Sequence, residues 1–313
     1  MTRIFFATDV HGSDRGWIKF LNASEYYDAG VIILGGDMTG KAVVPIVEEE
    51  DGTYRATFLD HKEVMTSKDE VEQLKKMIGV AGYYPYLTSP KEMEELEANP
   101  ERVDRLFKDL MLRAIEGWMK TADERLRGKR VKCFVCPGND DHPEIDKIIE
   151  RSESVTLAAE RLVMVDSDHE MISLGWTNPT PWKTFRECSE EQMHKRIEVL
   201  VSEVRDMRNC IFNFHAPPYG SQLDEAPELD ENLRPKYGGR TTIPVGSISV
   251  RDAIKRYQPL LGLHGHIHES NGDCQIGRTV CINPGSSYGQ GILLGAVVNL
   301  DKNGIRNYFT TFG

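Results

Sequence analysis

Near its start the chain reads IFFATDVHG over residues 4–12, an apolar run that ends in an aspartate and a histidine two positions apart. A short apolar run that stops at polar residues is typical of a buried β-strand. Side chains two positions apart in an extended segment point to the same side. The segment therefore predicts a first strand that brings Asp9 and His11 together at one edge of a sheet.

The same arrangement, an apolar run followed at once by potential metal ligands, occurs four more times along the chain. The polar residues after these runs are Asp37, then Asn139 with Asp140 and Asp141, then His215, and finally His266 with His268. Strands of a parallel sheet end along one edge, and sites form in the crevice outside those ends. Glycines before Asp37, Asn139 and His266 permit tight turns and close approach of the backbone. We therefore expect the five strand ends to converge on one site.

Helical patterns separate many of the apolar runs, and this alternation predicts an α/β core. The clearest helix follows a capping box at residues 189–192, where an apolar stripe continues with helical spacing. The C-terminal third contains apolar runs without intervening helices, which predicts antiparallel strands. The sheets of the core are therefore expected to be mixed.

Residues 41–128 follow a different pattern and predict an inserted α+β cap, while residues 1–40 and 129–313 form the core domain. Two β-rich runs in this insertion flank Asp51-Gly52, the preferred two-residue hairpin turn. Pro45 in the first run predicts a strand at a sheet edge, because proline cannot donate to a central ladder. Three capped helices are expected to follow the hairpin.

The composition of the chain excludes several classes of protein. Its 313 residues carry 38 basic and 49 acidic side chains, a formal net charge of −11, which disfavours nucleic acid or an anionic membrane as a partner. Uncharged apolar stretches reach only about ten residues, whereas a membrane span needs about 20. The first strand begins directly after Met1-Thr2-Arg3 without a cleavage site, so we expect a cytoplasmic protein. The sequence leaves the oligomeric state open.

The predicted donor set combines carboxylate and amide oxygens with four imidazoles and contains no thiolate. Such a set suits Mn²⁺, Fe, Co, Ni or Zn²⁺ better than Ca²⁺, which prefers oxygen ligands alone. Seven ligands are too many for one tetrahedral site. We therefore expect two divalent transition-metal ions that share a carboxylate.

In their order and types, these motifs resemble the calcineurin-like metallophosphoesterase superfamily over nearly all of the chain outside the insertion. The resemblance implies a four-layer α-β-β-α sandwich, with two mixed sheets face to face and helices outside. It also implies the metal ligands: Asp9, His11 and His268 for the first ion, Asn139, His215 and His266 for the second, and Asp37 as the bridge between them. Residues 283–286 resemble the Asn-Pro-Gly-Ser turn of many members, either as a simple turn or with a direct role.

One departure from the family pattern concerns the third motif, which is often Gly-Asn-His-Asp. The histidine of that motif contacts the scissile phosphate or helps the leaving group depart, but Asp140 holds the position here. An anion beside a phosphate is repulsive unless it is protonated. His142, one residue past the motif, either substitutes as the acid or begins the next helix. Members without this histidine tend to be associated with phosphodiesters or with slow general activity.

The resemblance therefore implies hydrolysis of a small phosphate ester, first a phosphodiester or small nucleotide, by in-line attack of a hydroxide that bridges two ions. A phosphomonoesterase or protein phosphatase is one alternative, and a non-catalytic protein-binding scaffold of the same fold is another. Loops beside a fixed site decide which substrate fits, so Asn178 and Tyr219 are candidates for the pocket wall. Tyr83, Tyr84 and Tyr86, expected at a turn between two cap helices, either pack on the core or stack on a base.

Overall fold

The computed structural model describes residues 1–313. Its strands are β1 (Thr2–Ala7), β2 (Val31–Leu34), β3 (Val43–Glu48), β4 (Tyr54–Phe58), β5 (His61–Met65), β6 (Tyr84–Thr88), β7 (Lys132–Val135), β8 (Val155–Leu157), β9 (Leu162–Met164), β10 (Glu170–Leu174), β11 (Cys210–Phe214), β12 (Glu225–Pro227), β13 (Thr242–Pro244), β14 (Leu261–Leu263), β15 (Gly272–Ile276), β16 (Thr279–Asn283), β17 (Leu294–Asp301) and β18 (Gly304–Phe312). Its helices are α1 (Asp14–Tyr26), α2 (Lys68–Val80), α3 (Pro90–Glu97), α4 (Pro100–Leu126), α5 (Ile145–Ile149), α6 (Glu190–Ser202) and α7 (Ile248–Tyr257).

Two six-stranded sheets form the core of the molecule. The first has the strand order β18-β17-β1-β2-β7-β8, and the second has the order β15-β16-β14-β11-β10-β9. Strands β1, β2, β7 and β8 run parallel to one another. Strand β17 pairs antiparallel with β1 on one side and with β18 on the other. The second sheet likewise has a parallel centre and antiparallel outer strands β9 and β15. Both sheets are mixed, as predicted.

Apolar side chains divide the molecule into layers. Phe6 and Ile33 of the first sheet pack with Ile211 and Leu263 of the second, so the two sheets lie face to face. Helices α1, α4 and α5 cover the outer face of the first sheet, and α6 and α7 cover that of the second. Burial of both faces of each sheet accounts for the near-continuous apolar runs in the sequence. The expected four-layer α/β sandwich is confirmed.

A small sheet with the order β5-β4-β3-β6 follows β2 in the chain. The expected hairpin around Asp51-Gly52 joins β3 to β4, but the prediction that Pro45 lies in an edge strand is wrong, because β3 is flanked by β4 and β6. β4 pairs with β3 only from Ile46 onward, so the ladder between these two strands begins after the proline. Pro45, which has no N–H group, is tolerated because β4 does not pair with β3 at that position.

Strand β6 occupies the segment in which the sequence predicts a turn between two helices. The prediction is wrong for Tyr84 and Tyr86, which pair in parallel with β3. The ring of Tyr84 is buried and packs edge-on against Phe107 of α4, with 5.7 Å between ring centroids. The sequence left open whether the tyrosines pack on the core or stack on a base, and Tyr84 packs on the core. The boundaries of the cap at residues 41 and 128 stay a prediction.

Two further features complete the fold. Strands β12 and β13 form a small antiparallel sheet between β11 and α7. No helix combines the length and the apolar character that crossing a membrane requires.

Candidate metal centre

The carboxyl ends of the parallel strands meet at one end of the sandwich, and backbone hydrogen bonds join the loops that follow them. The N–H groups of Asp9 and His11 donate to the carbonyl oxygens of Gly36 and Asp37, at 3.0 and 2.9 Å. The N–H group of Gly265 donates to the carbonyl oxygen of His215 at 3.0 Å, which ties the loop after β14 to the loop after β11. The predicted convergence of strand ends is therefore present.

Six of the seven side chains predicted as metal ligands fall into two compact groups. One group contains Asp9, His11 and His268, and the other contains Asp37, His215 and His266. Within each group the potential ligand atoms all lie within 4.8 Å of one another. The resemblance assigns these same two groups to separate ions, with Asp37 shared between the ions. The seventh predicted ligand, Asn139, belongs to the second ion in that assignment.

Asp37 lies close to members of both groups. Its Oδ2 atom is 3.3 Å from Nε2 of His215 and 3.7 Å from Nε2 of His11. Within the first group, Nε2 of His268 lies 3.0 Å from Nε2 of His11 and 3.3 Å from Oδ1 of Asp9. A carboxylate in this position is able to bind an ion in each group.

Buried polar atoms without a hydrogen-bond partner fit a cation at this place. Nε2 of His215 and Oδ1 of Asn139 are both buried and unpartnered. The amide Nδ2 of Asn139 donates to Oγ1 of Thr184 at 2.8 Å, so only its oxygen remains free. An unsatisfied buried acceptor costs about 1–3 kcal/mol, and a bound cation would remove that cost. The donor set of oxygens and imidazoles is one that divalent transition metals accept.

Glycines leave the room that these side chains occupy. A Cβ atom on Gly138 would lie 2.3 Å from Oδ1 of Asp37, and one on Gly265 would lie 2.4 Å from Oδ2 of Asp9. Real Cβ atoms essentially never approach so closely. The prediction that glycines at the strand ends permit close approach is confirmed at both positions.

Comparison with known proteins gives one partial sequence match and full-length structural matches. No family model matches the chain. Over 150 residues, 47% of the chain, it is 31% identical to the uncharacterised protein MJ1162 of Methanocaldococcus jannaschii, and the match spans 61% of that protein. Two solved structures match 99% of this chain and 98% of their own: one has a TM-score of 0.58 at 16% identity, and TT1561 of Thermus thermophilus has 0.54 at 14%.

The two face-to-face mixed sheets carry the five expected motifs at converging strand ends, and the structural matches extend over the whole chain. The chain has the four-layer sandwich fold that the resemblance to the calcineurin-like metallophosphoesterases implies. The resemblance that the sequence motifs indicate is thereby confirmed for the fold.

Within this fold, four of the predicted ligands have left-handed backbone conformations. The φ angles are 53° at Asp9, 38° at His11, 43° at Asp37 and 68° at His266. Residues other than glycine adopt such angles at a cost, and residues of this kind cluster at functional sites. The strain is held in place by the hydrogen bonds that join the loops.

The Asn-Pro-Gly-Ser turn supports the first group of ligands. Oγ of Ser286 donates to the carbonyl oxygen of Asp9 at 2.6 Å. The N–H group of Ser286 donates to the carbonyl oxygen of His268 at 3.2 Å. The amide of Asn283 donates to the carbonyl oxygen of Ile267 at 3.0 Å. The turn therefore positions two loops that carry predicted ligands.

The hydroxyl of Thr8, which the sequence analysis missed, donates to Oδ2 of Asp9 at 2.5 Å.

Asp141 and Gly35 provide similar support for the second group. The buried carboxylate of Asp141 accepts the N–H groups of Met38, Thr39 and Gly138, at distances from 2.7 to 3.0 Å. It therefore ties the loop after β2 to the loop after β7. Nδ1 of His215 lies 3.1 Å from the carbonyl oxygen of Gly35. A proton on Nδ1 leaves Nε2 as the free lone pair, which is the form that binds a metal.

Burial and the charges of the site together account for the directions of its pKa shifts. Burial raises the pKa of Asp37 to about 6. Burial lowers the pKa of His215, but the carboxylates of Asp37 and Asp9 outweigh burial and raise it to about 9. Burial lowers the pKa of His266 to about 3, which keeps that imidazole neutral. A cation bound here would compete with the proton on His215, so metal uptake is expected to release a proton.

Asp140, the residue in place of the third-motif histidine, lies beside the first group. Its Oδ2 atom is 3.7 Å from Nδ1 of His11 and 3.4 Å from Nζ of Lys41. Its N–H group donates to Oδ1 of Asp37 at 3.0 Å. The aromatic ring of Tyr288 lies 4.7 Å from that of His11. Sequence analysis missed Lys41 and Tyr288, since neither directly follows a predicted strand.

The other three candidate residues make contacts with residues outside the two groups of ligands. The ring of His142 packs edge-on against Phe185 at 5.0 Å, three positions before α5 begins at Ile145. Nδ2 of Asn178 donates to the carbonyl oxygen of Val245 at 3.1 Å. The ring of Tyr219 lies 5.7 Å from the guanidinium carbon of Arg251. Their roles at a leaving group or pocket wall stay predictions.

Proposed function

We propose that the protein is a dinuclear metal-dependent hydrolase that acts on a small phosphate ester, with phosphodiesters or small nucleotides as the favoured class. The observation that carries this proposal is the position of Asp37 between two groups of buried ligands. The Oδ1 atom of Asn139 and the Nε2 atom of His215 support it, because each is a buried potential ligand atom without a hydrogen-bond partner. The fold supports it as the scaffold on which the motifs converge.

In this proposal, the first ion would be held by Asp9, His11 and His268 and the second by Asn139, His215 and His266, with Asp37 available to both. Two bound divalent ions supply Lewis-acid polarisation of the phosphoryl group and an activated water. Mn²⁺, Fe, Co, Ni and Zn²⁺ all suit this mixed set of oxygen and nitrogen donors. The residues around the ligands keep them in fixed positions, so little reorganisation is needed when a phosphate ester binds.

The preference for phosphodiesters or activated esters rests on the surroundings of Asp140. No imidazole occupies the third-motif position, and the ring of His142 packs against Phe185 instead. A site that lacks a good proton donor favours esters with acidic leaving groups. A phosphomonoesterase or protein phosphatase of the same fold would require a group that donates the proton in another way.

The test is hydrolysis of a bis-aryl and a mono-aryl phosphate in parallel, after Mn²⁺, Ni²⁺ or Zn²⁺ is added to metal-stripped protein. Faster cleavage of the diester is expected. Faster cleavage of the monoester would replace the diester preference with the phosphomonoesterase alternative. Stoichiometric metal binding without turnover of either ester would favour a non-catalytic scaffold. The variant His215→Ala serves as the inactive control, because it removes a predicted ligand.

A further inference from the structure

Lys41 is the cation nearest to Asp140. Its side chain is 45% exposed, and Nζ lies 3.4 Å from Oδ2 of Asp140. Nζ also lies 6.0 Å from the ring centroid of Tyr288, which in turn packs against His11 and His268. Lys41 therefore lies beside the first group of ligands, at a point that solvent reaches.

The backbone before Lys41 is fixed rather than free. The N–H group of Gly40 donates to the hydroxyl of Tyr84 at 2.7 Å. A Cβ atom on Gly40 would lie 2.4 Å from the carbonyl oxygen of Gly82, so the two loops touch. β3 begins two residues after Lys41 and anchors the chain on the other side. The lysine is thus presented from an ordered segment.

The ammonium group of Lys41 has unused hydrogen-bonding capacity. A lysine carries three N–H donors, yet the one carboxylate within ion-pair distance of this ammonium is that of Asp140 at 3.4 Å. The Asp140 carboxylate is held in turn by the amide of Asn139, at 3.2 Å. A lysine whose side chain is nearly half exposed, beside a buried site, is therefore available to an anion that enters from solvent.

The charge of Asp140 creates a need for such a cation. A carboxylate next to a phosphate group raises the free energy of binding through repulsion, and the low dielectric of a buried site strengthens this effect. The histidine that the family usually has at this position would not repel the phosphate. The positive charge of Lys41 offsets the charge of Asp140, and its ammonium group keeps N–H donors for a further hydrogen bond.

We propose that Lys41 binds a non-bridging phosphoryl oxygen of the substrate and so takes over the phosphate contact of the missing third-motif histidine. The inference rests on the proposed function, since it assumes that a phosphate group occupies the metal centre. It assigns Lys41 to substrate binding and Asp140 to holding the ammonium in place.

The test compares Lys41→Met and Lys41→Arg with the control Lys62→Met, which removes the same charge from an exposed position on β5. Binding of inorganic phosphate to the manganese-loaded proteins is measured by calorimetry, together with kcat and KM for a bis-aryl phosphate. Loss of one charged hydrogen bond should weaken phosphate binding by about ten- to a hundredfold in Lys41→Met. Lys41→Arg should recover most of the affinity, and Lys62→Met should match the unchanged protein.

A double variant separates direct contact from charge compensation. Lys41→Met with Asp140→Asn removes both charges, so phosphate binding recovers fully if Lys41 only neutralises Asp140. Continued weak binding in the double variant supports direct contact, whereas full recovery overturns it. Manganese stoichiometry is measured for every variant, and a loss in Lys41→Met would assign the effect to the metal centre and overturn the inference.

The same measurements distinguish the inference from the proposed function. If the unchanged protein hydrolyses the ester while Lys41→Met binds phosphate equally well, the inference alone is wrong. If the manganese-loaded protein neither binds phosphate nor hydrolyses either ester, both are wrong.

Discussion

The indole rings of Trp17 and Trp118 stack face to face, with centroids 5.0 Å apart and planes 4° from parallel. Nε1 of Trp17 also donates to the carbonyl oxygen of Trp118 at 3.1 Å, and Nε1 of Trp118 donates to Oδ1 of Asp14 at 2.7 Å. Both rings are almost fully buried. This contact joins α4, from the segment after the small sheet, to α1, which directly follows the loop of Asp9 and His11.

Removal of this contact is expected to destabilise the whole fold. Trp118→Ala should lower the free energy of unfolding by about 3–5 kcal/mol, because it leaves a cavity in the core and an unpaired carboxylate at Asp14. Urea unfolding followed by circular dichroism measures the change. Trp182→Ala, at a tryptophan that is 64% exposed, is the matched control and should change stability by less than about 0.5 kcal/mol. Equal effects of the two variants would contradict this account of the core.

Metal binding is expected to depend on Asp37 more than on any exposed carboxylate. The unchanged protein should bind two equivalents of Mn²⁺ and gain about 2.7 kcal/mol of stability per site at a hundredfold excess over Kd. Asp37→Asn should weaken both sites, because this side chain faces both groups of ligands. Calorimetric titration of metal-stripped protein tests this, with Asp104→Asn on the exposed face of α4 as the control. Undiminished binding of two ions by Asp37→Asn would refute the shared-carboxylate arrangement.

Thr184 is expected to control the orientation of Asn139. Its hydroxyl accepts the Nδ2–H group of Asn139 at 2.8 Å and so leaves Oδ1 free. Thr184→Val should reduce affinity for one of the two ions by about ten- to a hundredfold, since supporting partners of metal ligands have effects of this size. Thr121→Val, whose hydroxyl only bonds within α4, is the control. An unchanged pair of affinities would show that Asn139 needs no such support.

The loop that carries Thr184 is expected to lose stability in acid through Glu187. Burial raises the pKa of Glu187, but hydrogen bonds from the hydroxyl and N–H groups of Thr180 and Thr184 outweigh it and lower the pKa. A lowered pKa in the folded state contributes stability above the unfolded pKa, about 4.3, and that contribution is lost as the pH falls through the folded value.

Glu187→Gln should therefore be less stable than the unchanged protein at neutral pH, and the difference should shrink below about pH 4. Urea unfolding at several pH values measures this difference. Glu50→Gln, which makes the same change at an exposed position, is the matched control. A difference that stays constant from neutral to acid pH would mean that the charge of Glu187 does not stabilise the loop.

The strand-end motifs were predictable because each depends on neighbouring residues. In Asp9-Val10-His11, for example, an apolar run, a turn and two ligand types follow one another, and parallel pairing then brings the ends together. The pairing of β3 with β6 was not predictable in this way. It joins segments about forty residues apart, and the signals near Tyr84, including Pro85, are those of a turn.

Lys41 illustrates the part of the site that sequence reasoning could not reach. Its relation to Asp140 spans about a hundred residues and depends on how the segment after β2 leaves the sheet edge. No local pattern distinguishes it from other exposed lysines. The role of His142 was also left open by the sequence, because a side-chain direction such as its packing on Phe185 is decided by tertiary contacts.

The hydrogen bond from Gly40 to the hydroxyl of Tyr84 has a practical consequence for anyone who redesigns this molecule. The peptide that leads into β3 carries Lys41 beside Asp140 and the first group of ligands, so any change to this segment also moves the lysine. A shortened variant that deletes β3 through β6 would remove the tyrosine hydroxyl that holds Gly40 and so release the ammonium from its place. Engineers would need to graft a new anchor for residue 41 before they could trim the rest.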